Sequence, residues 1–354
     1  MNTVCVIRRF FAPFSRFSLG RAMLMSLVLS QSVFAESGIR LMADSAVDNS
    51  RLALDFSSRG SHLTAQNPIA YTHAAGFDWL TTLSGSKNDI GTLLLQGYIT
   101  RLHNTQSFPG FFQDEDDTEF VYRIFNFNYT ALPGNLPNIR IGHMEVPYGL
   151  EHAINTNGTL RQYAQPKNLG IKADWGVSLN KQLKHFEYEV SATTGGGQSL
   201  DRQDGSYVFA GRVGSLRDEN LSYGLSWYRS KLKNIERERL GLDLRYYRGL
   251  QGFYAELSLG QNNDQEVRNG QLEWNVRNQR ENIIAFTQLR YFSSEQALGK
   301  RSDTLDTSVG IRYALDNSWT LSSQYSRDLD AAGKHRQSVF SIQVRYRYFP
   351  LNKR

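Results

Sequence analysis

The chain has 354 residues, 21% of them charged, with a mean hydropathy of −0.46 and a formal net charge of +6. Its longest apolar run, Ala22 to Leu29, falls short of the about 20 residues that a helix needs to cross a bilayer, so a bundle of membrane helices is excluded. Aromatic residues reach 12%, and 29 Gly stand against 8 Pro, a mix that favours strands and tight turns. Cys5 is the single cysteine, which removes disulfides, thiol catalysis and cysteine metal sites from the mature chain.

Residues 1–35 read as a secretory signal peptide. Arg8, Arg9, Arg16 and Arg21 form a basic start, AMLMSLVL an apolar centre, and Val33-Phe34-Ala35 a cleavage site before Glu36. Its removal leaves 36 basic residues against 34 acidic, a net charge of +2. The high isoelectric point of the full chain therefore gives little support to nucleic-acid binding. Residues 36–50 read as a periplasmic N-terminal segment, 51–349 as a barrel and 350–354 as a C-terminal tail.

From Arg51 onward apolar and polar residues alternate. In Arg239–Tyr247, Leu240, Leu242, Leu244 and Tyr246 oppose Arg239, Gly241, Asp243, Arg245 and Tyr247. The pattern predicts about sixteen strands (14–18), near 51–57, 73–84, 89–104, 119–131, 138–148, 172–181, 185–194, 207–217, 221–232, 237–248, 251–261, 266–277, 280–293, 303–315, 318–329 and 337–349. Short connections, as at 85–88 and 249–250, alternate with connections that are often longer, as at 105–118 and 149–171. That alternation, strands of ten residues or more, and Tyr and Trp near strand ends point to an all-β, transmembrane antiparallel β-barrel of the outer membrane of a Gram-negative bacterium. A soluble periplasmic β protein would share the alternation of faces.

Residues 139–151 read IRIGHMEVPYGLE. Gly142, Pro147, Tyr148, Gly149, Leu150 and Glu151 resemble the Gly-x-x-x-x-Pro-aromatic-Gly-Leu-Glu element of the phosphate-selective porin O/P-like family. Asp174–Leu179, Phe186–Val190, Gly195–Gly197 and Phe209–Val213 are similar to the segments that follow it, so the resemblance covers about residues 119–217. It implies a sixteen-stranded pore, often trimeric, whose third outer loop folds inward as a constriction. The strand count independently makes 149–171 the third outer loop. Pro147 and Gly149 are expected to set its first turn, Pro by fixing φ and Gly by permitting unusual φ.

The expected constriction residues are Glu151, Arg161, Lys167 and Lys172, with no lysine-rich run among them. Arg245, Arg290, Arg312, Arg345 and Arg347 are expected on the pore wall, because a charge on the lipid face at mid-bilayer costs roughly 2–4 kcal/mol. They either attract anions or brace the wall by pairing with Asp243, Glu256 and Asp306. An acidic run at 113–119 fits a solvated loop, with a divalent cation or lipopolysaccharide as the alternative partner. The seven histidines are scattered without metal-ligand spacing, and no motif singles out a nucleophile with its base. The expectation is thus a non-enzymatic porin without cofactor, bounded by lipid and lipopolysaccharide, passing small polar or anionic solutes and possibly a homotrimer. The alternatives are a non-conducting barrel acting as an anchor or assembly partner, and a barrel hydrolase.

Overall fold

The structure is a computed structural model that describes residues 49–352 apart from 64–68, 86–88, 104–117, 155–157, 164, 201–204, 218, 296–300 and 330–337. The signal peptide and the acidic residues 114–117 lie outside the described residues.

Sixteen strands follow in chain order. The first eight are β1 (Ser50–Leu63), β2 (Ile69–Ser84), β3 (Asp89–His103), β4 (Thr118–Tyr129), β5 (Asn138–Glu145), β6 (Ala173–Gln182), β7 (Glu187–Thr193) and β8 (Tyr207–Gly214). The last eight are β9 (Leu221–Leu232), β10 (Ile235–Arg248), β11 (Gln251–Asn262), β12 (Gln265–Arg277), β13 (Ile283–Glu295), β14 (Arg301–Ala314), β15 (Trp319–Asp328) and β16 (Ser338–Asn352). Each pairs antiparallel with its sequence neighbours, and β1 pairs with β16, so the sheet closes as a barrel. β16 runs past 349, with Asn352 opposite Arg51, so residues 350–352 belong to the wall rather than to a tail.

The faces are the reverse of those of a water-soluble β protein. On β10, Leu240 is 63% exposed and Leu242 59%, whereas Arg239 and Asp243 are 2% and 5% exposed. Leu225, Leu257, Leu259, Leu272, Val309 and Ile342 are likewise exposed, whereas Ser226, Ser258, Glu273 and Gln288 are buried. Period-two alternation thus places apolar side chains outside and polar ones in the lumen.

Turn chemistry closes the hairpins. The connection from β9 to β10 is Lys233-Asn234 with φ of 49° and 63°, the left-handed pair of a tight two-residue turn. One place in the wall is open. β4 pairs with β5 only over Phe125–Tyr129, because β5 stops at Glu145. Beyond it the side chain of Gln198 stands in for a strand: the Tyr122 N–H donates to Gln198 Oε1 at 2.7 Å, and Gln198 Nε2 donates to the Tyr122 carbonyl at 2.9 Å. The chain leaves the wall at this gap and turns into the barrel.

Candidate functional site

The segment between β5 and β6 carries two short helices, α1 (Gly149–Ala153) and α2 (Gln165–Leu169). It is the third connection at the end of the barrel opposite both chain ends.

Its root is held by backbone and side-chain contacts across the lumen. The Val146 N–H donates to the Lys172 carbonyl at 2.9 Å, which closes the segment into a loop. Tyr148 is fully buried and its Oη lies 2.6 Å from Ser258 Oγ on β11. Gly149 has φ +61°, and its N–H donates to Ser226 Oγ on β9 at 3.0 Å. A Cβ there would collide with the Glu256 carboxylate, so both backbone shape and space demand glycine. The Leu150 N–H donates to Glu256 Oε2 at 2.8 Å.

The return path is fastened to the same wall. Asn168 donates to Ser258 Oγ at 2.9 Å and accepts from Arg239 Nε at 2.9 Å. Tyr228 Oη donates to the Leu169 carbonyl at 2.9 Å. Val146, Tyr148, Leu169 and Ile171 pack with Val208, Ala210, Tyr228 and Leu232 as a buried apolar cluster. Apolar inward residues on β8 and β9, exceptions to the polar lumen, thus form the seat of the loop.

Between root and return the loop reaches further strands. Arg161 Nη1 donates to Glu273 Oε1 on β12 at 2.9 Å. The Gln162 N–H donates to Gln288 Oε1 at 3.1 Å, and Gln288 Nε2 returns a bond to the Gln162 carbonyl at 3.0 Å. Lys167 Nζ donates to Thr304 Oγ1 on β14 at 2.8 Å and lies 4.6 Å from the Phe292 ring centroid. Gly158 packs against the Arg345 guanidinium on β16, where a Cβ would collide with it.

The expected site residues separate into three groups. Glu151 and Lys172 pair at 3.0 Å at the loop root, with side chains only 5% and 13% exposed, so they fasten the loop rather than face a passage. Burial pushes the Glu151 carboxyl above the usual carboxylate range, with Lys172 opposing the shift. Pro147 is buried between β5 and α1, next to Tyr148. Arg245 also serves the loop, donating to Ser222 Oγ at 3.2 Å and to the Ala153 carbonyl at 3.3 Å.

The second group lines the opposite wall with a carboxylate partner. Arg345 binds Asp55 of β1, Arg347 binds Asp78 of β2 at 2.6 Å, and Arg290 lies 3.6 Å from Asp306. Of the expected bracing partners, Asp306 alone meets one of the five wall arginines. Asp243 and Glu256 sit directly opposite each other across β10 and β11 and are claimed otherwise. Asp243 binds Arg212 of β8 at 2.7 Å, because Gly224 on the intervening β9 has no side chain to block the guanidinium. Glu256 accepts from the loop.

In the third group, Arg312 of β14 is exposed and has no carboxylate partner among the described residues, yet lies within electrostatic reach of Arg345, Arg347 and Arg161. Arg59 of β1, which the sequence reading missed, joins it. It faces the lumen opposite Thr72 and Gln343, hydrogen-bonds Thr72 Oγ1 at 3.5 Å and meets no carboxylate among the described residues. Its signal was a polar second half of β1, where apolar alternation fails and the strand is read too short.

No family model matches the chain, and no curated protein sequence matches it. Solved structures do share its architecture. Salmonella typhi OmpF, solved in complex with daunomycin, matches with a TM-score of 0.65 at 11% identity, over 85% of this chain and 98% of that one. Pseudomonas putida OprB in a high-pH structure matches with a TM-score of 0.64 at 9% identity, over 88% and 97%. An anion-selective porin from Comamonas acidovorans matches with a TM-score of 0.59 at 12% identity, over 84% and 99%. The chain has the barrel fold of these porins. At such identities the likeness is one of fold, and the phosphate-selective resemblance rests on residues 119–217 alone.

Proposed function

We propose that this chain is an outer-membrane porin that passes small polar solutes by diffusion and favours anions. The reading is carried by one observation: a closed barrel with its apolar face outside holds a loop inside whose residues 152–171 include Arg161 and Lys167 and no carboxylate. An apolar belt of this extent is the surface of a membrane-embedded barrel.

The mechanism follows from the wall opposite the loop. Arg345 and Arg347 are balanced by Asp55 and Asp78, and Arg161 by Glu273. Arg312 and Arg59 are left over, with Lys167 on the loop. A passage lined by uncompensated guanidinium groups raises the local concentration of anions and lowers that of cations. The balanced arginines hold the wall rigid. Arg161 fastens the loop to β12, since its guanidinium is tied to the buried Glu273 carboxylate.

The resemblance to phosphate-selective porins supports the same preference. The scarcity of lysine in the loop favours a general small-anion path over a phosphate-specific one. In the same reading the signal peptide is cleaved after Ala35, lipid and lipopolysaccharide surround the wall, and three copies associate.

The experiment is reconstitution of the refolded barrel in a planar bilayer. Stepwise conductance is expected. A folded, heat-modifiable barrel that inserts and gives no steps contradicts the reading and favours a plugged barrel.

A further inference from the structure

The wall carries a notch where the constriction loop leaves it. β5 and β6 meet last at Glu145 and Ala173, while β4 runs on from Phe125 to Thr118 without a strand partner on that side. Backbone N–H and C=O groups left unpaired in a wall bounded by lipid are costly. The chain that follows β7, Thr194–Gln198, crosses this notch from β6 to β4.

Both ends of the crossing are fastened. At β6 the fully buried Asp174 stands two residues past Lys172, whose carbonyl closes the loop. Its carboxylate accepts from the Gly195 N–H at 2.5 Å, the Gly197 N–H at 2.9 Å and Thr194 Oγ1 at 3.2 Å. Gly195 and Gly197 have φ +77° and +61°, a backbone shape that turns both N–H groups onto one carboxylate. At β4 the Gln198 amide exchanges its two bonds with Tyr122, and Trp175 Nε1 donates to the Gln198 carbonyl at 3.2 Å. His143 fills the space between, its ring 5.2 Å from that of Trp175 and its Nδ1 hydrogen-bonded to the Arg123 carbonyl at 3.1 Å. Ile171, in the apolar seat of the loop, lies 4.0 Å from where a Cβ on Gly197 would stand.

A primary amide offers one acceptor and one donor, as a peptide group does, so Gln198 satisfies both backbone groups of Tyr122. The next residue carries the effect inward: Arg123 donates to Gln96 Oε1 at 2.5 Å and to Glu145, the last residue of β5, at 3.1 Å. The crossing thus ties β4 to β6 at the place where both ends of loop 149–171 meet the wall. We propose that Gln198 is a positioning residue of the solute filter: the Thr194–Gln198 strap holds the wall shut around the root of the loop and so fixes how far the loop stands into the lumen. The inference rests on the porin reading above and adds to it a control of passage width by the connection between β7 and β8.

The test compares the full barrel and its variants in planar bilayers, with heat-modifiable migration showing that each is folded. Gln198→Ala removes both bonds to Tyr122. The uniform step size of the wild type should give way to a spread of larger steps, and the Tyr122 amide should exchange its hydrogen roughly five- to tenfold faster, the effect of one net hydrogen bond. Gln198→Glu separates positioning from packing. Its carboxylate accepts from the Tyr122 N–H but repels the Tyr122 carbonyl, whereas the protonated acid donates to that carbonyl. This variant should therefore behave as Gln198→Ala at neutral pH and regain wild-type steps in acid. Arg123, His143, Glu145 and Asp174 share the notch, so the wild type and Gln198→Ala pass through the same pH series, and the recovery should be confined to Gln198→Glu. Wild-type steps from Gln198→Ala, or no recovery of Gln198→Glu in acid, overturn the proposal. A wild-type barrel without steps removes the porin reading itself, an outcome read before any variant is made.

Discussion

The Leu150 amide donates to Glu256 Oε2 at 2.8 Å, and that contact ties the loop between β5 and β6 to β11, well away from the strands that carry it. Glu256 is 4% exposed and faces Asp243 across the strand pair. Among the described residues no cation pairs with Glu256, and a carboxyl so placed is costly to bury, so the loop amide compensates it. Glu256→Leu should loosen the loop. The expected result is noisier, larger conductance steps and a loss of about 1–3 kcal/mol in unfolding free energy. Glu256→Gln, whose oxygen still accepts, should lie between.

Gly149 adds a steric condition to the same anchor. With φ +61° and the Glu256 carboxylate where a Cβ would stand, Gly149→Ala should destabilise the barrel by about 1–3 kcal/mol. Thermal unfolding in detergent reads the loss. Gly134, also at positive φ but with open space around it, is the control, and Gly134→Ala should cost less.

The strands and the loop differ in how legible they are. Leu240, Leu242 and Leu244 alternating with Arg239, Asp243 and Arg245 define β10 from periodicity alone. Sheet closure follows from counting such rows. β1 reads too short because Ser57–Ser61 lacks apolar alternation, and its pairing with β2 and β16 extends it to Leu63. The loop position is readable from Pro147, Gly149 and the strand count. Partners of the wall charges are not readable. Arg212 reaches Asp243 across a whole strand by way of Gly224, and Arg245 turns to loop carbonyls, choices that depend on side-chain reach across the lumen.

Gly224 gives that reach a direct test. Gly224→Val puts a side chain where the Arg212 guanidinium passes and separates a buried ion pair. A loss of about 3–5 kcal/mol is expected, because Asp243 is left buried without its cation. Heat modifiability at stepped temperatures measures it.

Lys167 supplies the pH dependence. Burial lowers the pKa of its ammonium below that of an ordinary lysine, with Asp306 opposing and Arg290 adding to the shift. A lowered lysine pKa means that the charge is lost, as pH rises, earlier than for a solvated lysine. The anion preference should therefore weaken in the alkaline range. Lys167→Met should weaken it at neutral pH and flatten the alkaline decline, as read from reversal potentials across a pH series.

Arg312, like Arg59, meets no carboxylate among the described residues, and its contribution is separable from that of the paired arginines. Arg312→Ala should lower the anion-to-cation permeability ratio roughly two- to fivefold, a single charge seen through partly screened solvent. Asp55→Asn should raise the ratio, because it leaves Arg345 without its carboxylate.

The reversal potential of the refolded wild-type barrel in a planar bilayer under a potassium chloride gradient tests the central claim most directly. An anion-shifted potential that moves toward neutrality in Arg312→Ala is predicted. A cation-shifted potential, or an anion shift that Arg312→Ala leaves unchanged, contradicts the basic passage.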